Sequence, residues 1–300
     1  MFITGISDEA GKEIEAQIRA HKELGWDKME IRDVSIDGGP ADNLHNISDA
    51  DFDRFEKLVK DAGMEVYCLS SRIANWGKQI DEPFDSSLEE ARRSIVRMKR
   101  LGTRFARIMS FAVRKDAGDQ MPNERFRRLR ELVRMFEGEG LTALHENCMN
   151  YGGMGWTFTL EMLEHVPGLK LVFDTGNPVF ADDRSKAAPW HKQSAWEFYD
   201  HVRDHIAYVH IKDGVWNPAK NGVDFCFPGD GQGDVKKIIH DLVSRGYKGG
   251  LSIEPHVGAV YHDPRSNDAC ATAYASYVEY GRRLEKIVSE ALRPDLAAAT

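Results

Sequence analysis

Cysteine is sparse and scattered. Four stand in the chain, Cys68, Cys148, Cys226 and Cys270, and no two make a Cys-x-x-Cys pair. That spacing excludes a disulfide framework and a zinc ribbon, and it suits a reducing, cytoplasmic setting. Long apolar runs are missing too. No stretch approaches the about 18 residues of a membrane span, so no membrane partner is expected. The opening, Met1-Phe2-Ile3-Thr4-Gly5-Ile6-Ser7-Asp8, has neither the basic region nor the apolar core of a signal peptide and reads as a first strand. Basic residues fall short of acidic ones, 40 against 48, giving a net charge of −8. A binder of phosphate backbones would show the opposite balance, so nucleic acid is excluded as a partner. No G-x-G-x-x-G or Walker pattern marks a nucleotide site. What is present is an ordinary globular composition, with 42% hydrophobic and 29% charged residues, which excludes collagen, coiled coil and extended disorder.

A punctuation mark recurs. Helical patterns end at Gly25, Gly63, Gly102, Gly140, Gly168 and Gly246, each followed by a short apolar run. Glycine tolerates the left-handed position that closes a helix. The spacings are 38, 39, 38, 28 and 78, the last being twice 39, so each gap fits one strand plus one helix. Strands are expected at Phe2–Ser7, Lys28–Asp33, Met64–Ser71, Phe105–Phe111, Leu141–Glu146, Lys170–Asp174, Ile206–Lys212 and Gly250–Glu254. Helical spacing of apolar residues marks Asp8–Leu24, Asp49–Ala62, Ser86–Leu101, Asn123–Glu139, Thr157–Val166, Ser194–His205, Asp234–Arg245 and Asp268–Leu292. Ser7, Ser48 and Asp85 are candidate caps. Eight alternations point to an α/β fold with a parallel sheet, and the length accommodates a single closed (β/α)8 TIM barrel over residues 1–300. A doubly wound open sheet is the alternative. The long segments follow the strands, at Arg72–Asp85, Asn177–Gln193, Asp213–Gly233 and Pro255–Asn267, and such loops build the active-site face of a barrel.

Strand phase singles out four residues. Glu146, Asp174, His210 and Glu254 each stand near the C-terminal end of strands 5 to 8, on the face opposite the consistently apolar one or continuous with the inward one. Three carboxylates and an imidazole converging in a barrel mouth repel one another unless a cation joins them. Oxygen and nitrogen donors without thiolate suit one divalent ion, Mn2+ or Mg2+, better than structural zinc. Arg107 falls on the inward phase and needs an acidic partner; Glu30 and Arg32 are expected to pair with it or with each other. Lys212 lies one step beyond His210 and is placed to neutralise an oxyanion or to pair with an aspartate. Indoles at Trp76, Trp156, Trp190 and Trp216 fall in segments after strands, where they would stack on a sugar ring or simply pack. Gly229, Gly231 and Gly233 would form an anion nest or a plain turn.

The segments His145-Glu146-Asn147, Phe173-Asp174-Thr175-Gly176-Asn177, Val209-His210-Ile211-Lys212-Asp213 and Ile253-Glu254-Pro255-His256 carry a resemblance. With Ser7-Asp8-Glu9 and Pro228-Gly229-Asp230-Gly231-Gln232-Gly233, they resemble the sugar phosphate isomerase/epimerase family of xylose isomerase-like barrels along the whole chain. The resemblance implies a TIM barrel, a divalent metal and a carbohydrate substrate. It makes Glu146 and Glu254 an acid/base pair that also binds metal, and leaves Asp174 and His210 as ligands only. It offers His145 as an extra base, as in the glycoside-cleaving members, although His145 is out of phase with Glu146. His256 and Asn177 become candidate contacts to substrate hydroxyls. Epimerases of free ketohexoses place a histidine at the position of Asn177 and an arginine at that of Trp216, so both substitutions point away from a simple ketohexose 3-epimerase. The leading expectation is a sugar or keto-sugar isomerase or epimerase working through an enediolate. A lyase or dehydratase on a keto-sugar, inosose or 3-keto-glycoside is the alternative. An apurinic endonuclease is opposed by the charge, and a non-catalytic sugar binder and a homo-oligomer stay open.

Overall fold

The computed structural model describes residues 1–115, 119–257 and 269–293. Most of the expected segment Pro255–Asn267, and the side chain of Cys270, lie outside the described residues. Eight parallel strands form one sheet: β1 Phe2–Gly5, β2 Lys28–Ile31, β3 Glu65–Ser70, β4 Phe105–Ile108, β5 Thr142–Glu146, β6 Lys170–Asp174, β7 Ile206–Ile211 and β8 Gly250–Ile253. Each ladders onto its neighbour in chain order, and β1 returns to β8. The seam between β1 and β2 carries one parallel bridge, Ile6 to Glu30. Side chains reinforce it: Thr4 Oγ1 donates to the Lys28 carbonyl at 2.7 Å and Ser7 Oγ to the Glu30 carbonyl at 3.0 Å. The barrel, not the open sheet, is the fold.

Alternation along the strands divides the core. Outward residues such as Ile31, Leu69, Ala143, Phe173, Val209 and Ile253 pack under the surrounding helices. Inward residues Cys68, Leu144, Val172 and Tyr208 fill the barrel floor as a separate cluster. Hydrophilic inward residues lie above that floor, so the packed plug supports the polar end.

All six punctuating glycines are left-handed, with φ between 69° and 89°. Element ends differ from the expected ones for local reasons. The first helix starts at Ile14 and not Asp8, because Ser7–Glu9 forms a separate 3-10 turn and Gly11 interrupts at φ 153°. Ser7 therefore caps nothing; its hydroxyl is buried against Gln17. Ser48 does cap, accepting from the Asp51 N–H at 3.1 Å, whereas Asp85 is already the first helical residue. β4 stops at Ile108 because Met109 and Phe111 donate instead to the loop carbonyls of Ile73 and Ala74. Three small elements went unforeseen: the pair Asp33–Val34 with Asp42–Asn43, the hairpin Gly214–Asn217 with Gly222–Phe225, and the turn of helix Asn177–Phe180.

One buried histidine makes the fold acid-sensitive. His21 is fully buried, with Nδ1 2.9 Å from the Gln17 carbonyl and Nε2 3.2 Å from the Tyr277 hydroxyl. Burial lowers its pKa to about 4. An unfolded histidine titrates near 6.5, so between those values the unfolded chain binds more protons. Its contribution to stability is complete above about pH 6.5 and falls as pH drops toward 4, by about 1.4 kcal/mol per unit. Imidazole NMR is expected to show His21 neutral at pH 5.5; a midpoint near 6.5 in the folded protein would contradict this.

Candidate active site

The polar end of the barrel is assembled from successive strand ends. Glu146 and Asp174 close β5 and β6, His210 is the penultimate residue of β7, and Glu254 follows β8. One ligand atom from each lies within 4.8 Å of the others, and all four residues are buried. Neighbouring side chains hold them in place. Asn147 clamps Asp174 by donating to its carbonyl at 2.9 Å and accepting from its N–H at 2.7 Å. Thr175 does the same across to β7, donating to the Lys212 carbonyl at 2.7 Å and accepting its N–H at 3.1 Å. Asp174 Oδ1 accepts from the N–H groups of Gly176 and Asn177 at 2.8 and 2.7 Å, which leaves Oδ2 pointing into the cluster.

His210 is oriented from behind. Its Nε2 lies 3.0 and 3.1 Å from the two oxygens of Glu30 on β2. Glu30 also accepts from Ser252 at 2.6 Å and from Ser70. The other ring nitrogen, Nδ1, faces Glu146 and Glu254 at 3.9 and 4.0 Å. Buried His210 Nδ1 makes no hydrogen bond, and Asp174 Oδ2 meets only the Lys212 ammonium, at 3.0 Å. A carboxylate behind an imidazole, with the second nitrogen aimed into three carboxylates, is the arrangement in which histidine ligates a metal. The donor set fits a hard divalent cation.

Cations of the chain share this pocket, so repulsion among the carboxylates is partly relieved by the protein itself. Lys212 Nζ is 3.0 Å from Asp174 Oδ2 and 2.8 Å from Glu254 Oε2. Its stem lies against Gly176, where a Cβ would come within 2.7 Å of Lys212 Cγ, so only glycine allows this approach. Arg107 Nη1 donates to Glu146 Oε2 at 2.8 Å. Arg32 spans Asp8, Glu9 and Glu254 at 3.0, 2.7 and 3.0 Å. The expected pairing of Glu30 with Arg107 or Arg32 is therefore corrected: Glu30 serves His210, because inward residues of β2 and β7 meet across the barrel. Burial raises the Asp174 pKa to about 7, aided by Glu254 and Glu146 and opposed by Lys212. Burial would raise Glu254 as well, but Lys212, His256, Arg32 and His210 hold it well below the usual carboxylate range.

Other expected site residues fall on both sides of a line. Asn177 is buried and donates from Nδ2 to Glu146 Oε1 at 3.0 Å. His256 sits at the rim, its Nδ1 3.1 Å from Glu9 and its Nε2 3.6 Å from Glu254 Oε1. His145 points the other way. Its Nε2 meets Ser110 Oγ at 3.0 Å and Asn150 Oδ1 at 3.1 Å, and it does not line the cavity. The extra base is thus withdrawn, and strict alternation is the reason, since Glu146 takes the inward phase. Trp216 is corrected as well: it lies under the Lys192 ammonium at 4.0 Å and outside the cavity lining. Trp156 stacks on His201 and Trp190 under Arg184, so among the four tryptophans only Trp76 faces the cavity. The glycine nest exists but is filled from within. Gly229 and Gly231 donate to Asp213 Oδ2, and Gly214 and Gly233 to Oδ1, all at 2.8–3.1 Å. It has no room for a substrate phosphate.

Above the carboxylates opens a cavity of about 1010 Å3. The unforeseen hairpin roofs part of it, with Phe225 edge-on to His256 at 4.9 Å between ring centres. Among the described residues, no helix is long and apolar enough to cross a membrane.

The family described as xylose isomerase-like TIM barrel matches residues 18–272. No curated protein matches the chain significantly. Solved structures with the same fold include a xylose isomerase-like TIM barrel protein from Mycobacterium smegmatis in complex with magnesium. It is 17% identical, with 97% of each chain covered and a TM-score of 0.66. An L-ribulose 3-epimerase is 17% identical, with 100% of this chain and 99% of that one covered and a TM-score of 0.66. A probable 3-DHS dehydratase from Bacillus anthracis is 16% identical, with 92% and 97% covered and a TM-score of 0.65.

Proposed function

Since the chain belongs to the xylose isomerase-like TIM barrel family, we propose that it is a metal-dependent isomerase or epimerase of a sugar or keto-sugar. The observation that carries this is the convergence of Glu146, Asp174, His210 and Glu254, with His210 Nδ1 aimed into the carboxylates and lacking a hydrogen bond. Those four residues would hold one divalent ion, Mg2+ or Mn2+, whose Lewis acidity favours ionisation next to a carbonyl. The residues of the chain then handle the proton. One of Glu146 and Glu254 removes it from the carbon beside the carbonyl, leaving an enediolate, and the other returns a proton to the second position or face. Lys212 and Arg107, each touching one of those carboxylates, place fixed positive charge where negative charge develops. Asn177 and His256 stand beside Glu146 and Glu254 respectively, positioned to bond substrate hydroxyls.

A lyase would share the first step and then expel a leaving group. Its support is the long loops, the Asn177 and Trp216 that replace the epimerase pair, and His145 as a second base; of these, His145 faces away from the cavity. The test is turnover in deuterium oxide with Mg2+ or Mn2+ and a panel of 2-keto and 3-keto sugars, free and glycosidic. Isomerised product and recovered substrate are expected to carry solvent deuterium, with no unsaturated product. Accumulation of an unsaturated sugar or a released aglycone would establish the lyase instead. Absence of exchange and conversion across the panel, with metal bound, would refute the assignment.

A further inference from the structure

The cavity is amphipathic along its length. Charged and amide groups crowd the barrel end, while Trp76, Met149 and Phe180 form a wall away from them. At about 1010 Å3 it stands at the upper end of the about 300–1,000 Å3 that houses a drug-sized ligand. A second hollow of about 520 Å3 adjoins it, and Trp76, Cys148, Met149 and Phe180 line both. The two spaces therefore meet over one apolar surface. Trp76 is 51% exposed and Met149 50%, so large apolar faces are left to water where the hollows join.

The loop presenting Trp76 is fastened on both sides. The Asn75 side chain accepts from the Gly77 N–H at 3.1 Å, and Lys78 N–H donates to the Asn75 carbonyl at 3.0 Å. Met109 N–H, just past β4, donates to the Ile73 carbonyl at 3.1 Å. The backbone that carries the indole is thus held in place before any ligand arrives, which lowers the ordering cost of binding.

We propose that this surface is an aglycone subsite, and that the substrate is a keto-glycoside whose aglycone, retained through the reaction, carries an aromatic ring. The proposal rests on the sugar-site reading above. A polyol head suits the charged end, and a flat apolar ring suits the Trp76 face. A second sugar is the poorer occupant. The four residues shared by the hollows offer only the Trp76 indole N–H and the Cys148 thiol, so most hydroxyls of a sugar seated on them would lose water without gaining partners.

The experiment uses full-length protein loaded with Mg2+. Calorimetry compares the methyl and phenyl β-glycosides of 3-keto-glucose and the 3-keto disaccharide of cellobiose. Saturation-transfer NMR with phenol reads the subsite by itself. The phenyl glycoside is expected to bind about tenfold tighter than the methyl one. Trp76→Ala and Phe180→Ala should each reduce that ratio while leaving the methyl glycoside unchanged, and should weaken the phenol signal. A ratio near one in the wild type, tighter binding of the disaccharide than of the phenyl glycoside, or equal weakening of methyl and phenyl ligands by Trp76→Ala would overturn the subsite. If no glycoside binds, the sugar reading fails for this class and phenol decides the subsite alone. A phenol signal lost in Trp76→Ala then upholds an aromatic-ring site, and its absence from the wild type overturns it.

Discussion

Glu254→Gln is expected to lower turnover by about 100- to 10,000-fold with metal still bound, the usual cost of losing a general base. Glutamine keeps the shape and one ligand oxygen but cannot accept the proton. Glu146→Gln should fall by a similar factor, yet the two variants should differ in solvent exchange of the substrate hydrogen. Exchange requires the base to hand its proton onward. Glu254 has a route: the half-buried His256 ring stands 3.6 Å from its Oε1, at the rim of the cavity. Glu146 is enclosed by the Arg107 guanidinium and the Asn177 amide at 2.8 and 3.0 Å, neither of which relays a proton near neutrality. Glu254→Gln should therefore abolish exchange together with product. Glu146→Gln should stop product while part of the exchange continues. Metal content measured by elemental analysis accompanies both variants. Near-normal turnover in the two would end the proposal, because the carboxylates would then serve coordination alone.

The legible part of this site was its phase. Glu146, Asp174, His210 and Glu254 each interrupt or end a short apolar strand, and alternation assigns such a residue a side without any knowledge of its partners. Glu30 was equally visible between Met29 and Ile31, but its partner was not. Glu30 meets His210, 180 positions away, and only the closure of the ring brings β2 opposite β7. The same limit hid Arg32, which reaches Glu254 across 222 positions. Alternation was also the better guide to His145, where family likeness suggested a base and phase put the ring behind the strand. Loops followed neither signal. The hairpin over residues 214–225 is only four residues a side, too short for a periodic pattern. The glycines of residues 229–233 allowed an anion nest or a plain turn, and the anion they hold proved to be Asp213, within the chain.

Lys212→Met is expected to separate the stability of the metal-free protein from that of the metal-loaded one. The buried ammonium stands 3.0 Å from Asp174 and 2.8 Å from Glu254. Methionine has a similar stem and keeps the contact over Gly176, so the change removes charge more than packing. Deleting one partner of a buried ion pair leaves an uncompensated charge and costs about 3–5 kcal/mol. For a domain of this size each kcal/mol moves the melting temperature by about 2–4 °C, so the chelated variant should melt roughly 6–20 °C lower. A bound divalent cation brings positive charge to the same two carboxylates and should restore much of that loss. In the wild type, saturation at 100 times the dissociation constant adds about 2.7 kcal/mol. The gap between chelated and metal-loaded melting temperatures should therefore widen in Lys212→Met. An equal drop in both states would mean that Lys212 contributes packing and not charge. A wild-type melting temperature unmoved by confirmed metal removal would count against the four-residue ligand set, because a cation bound only by the native cluster must stabilise the fold that forms it.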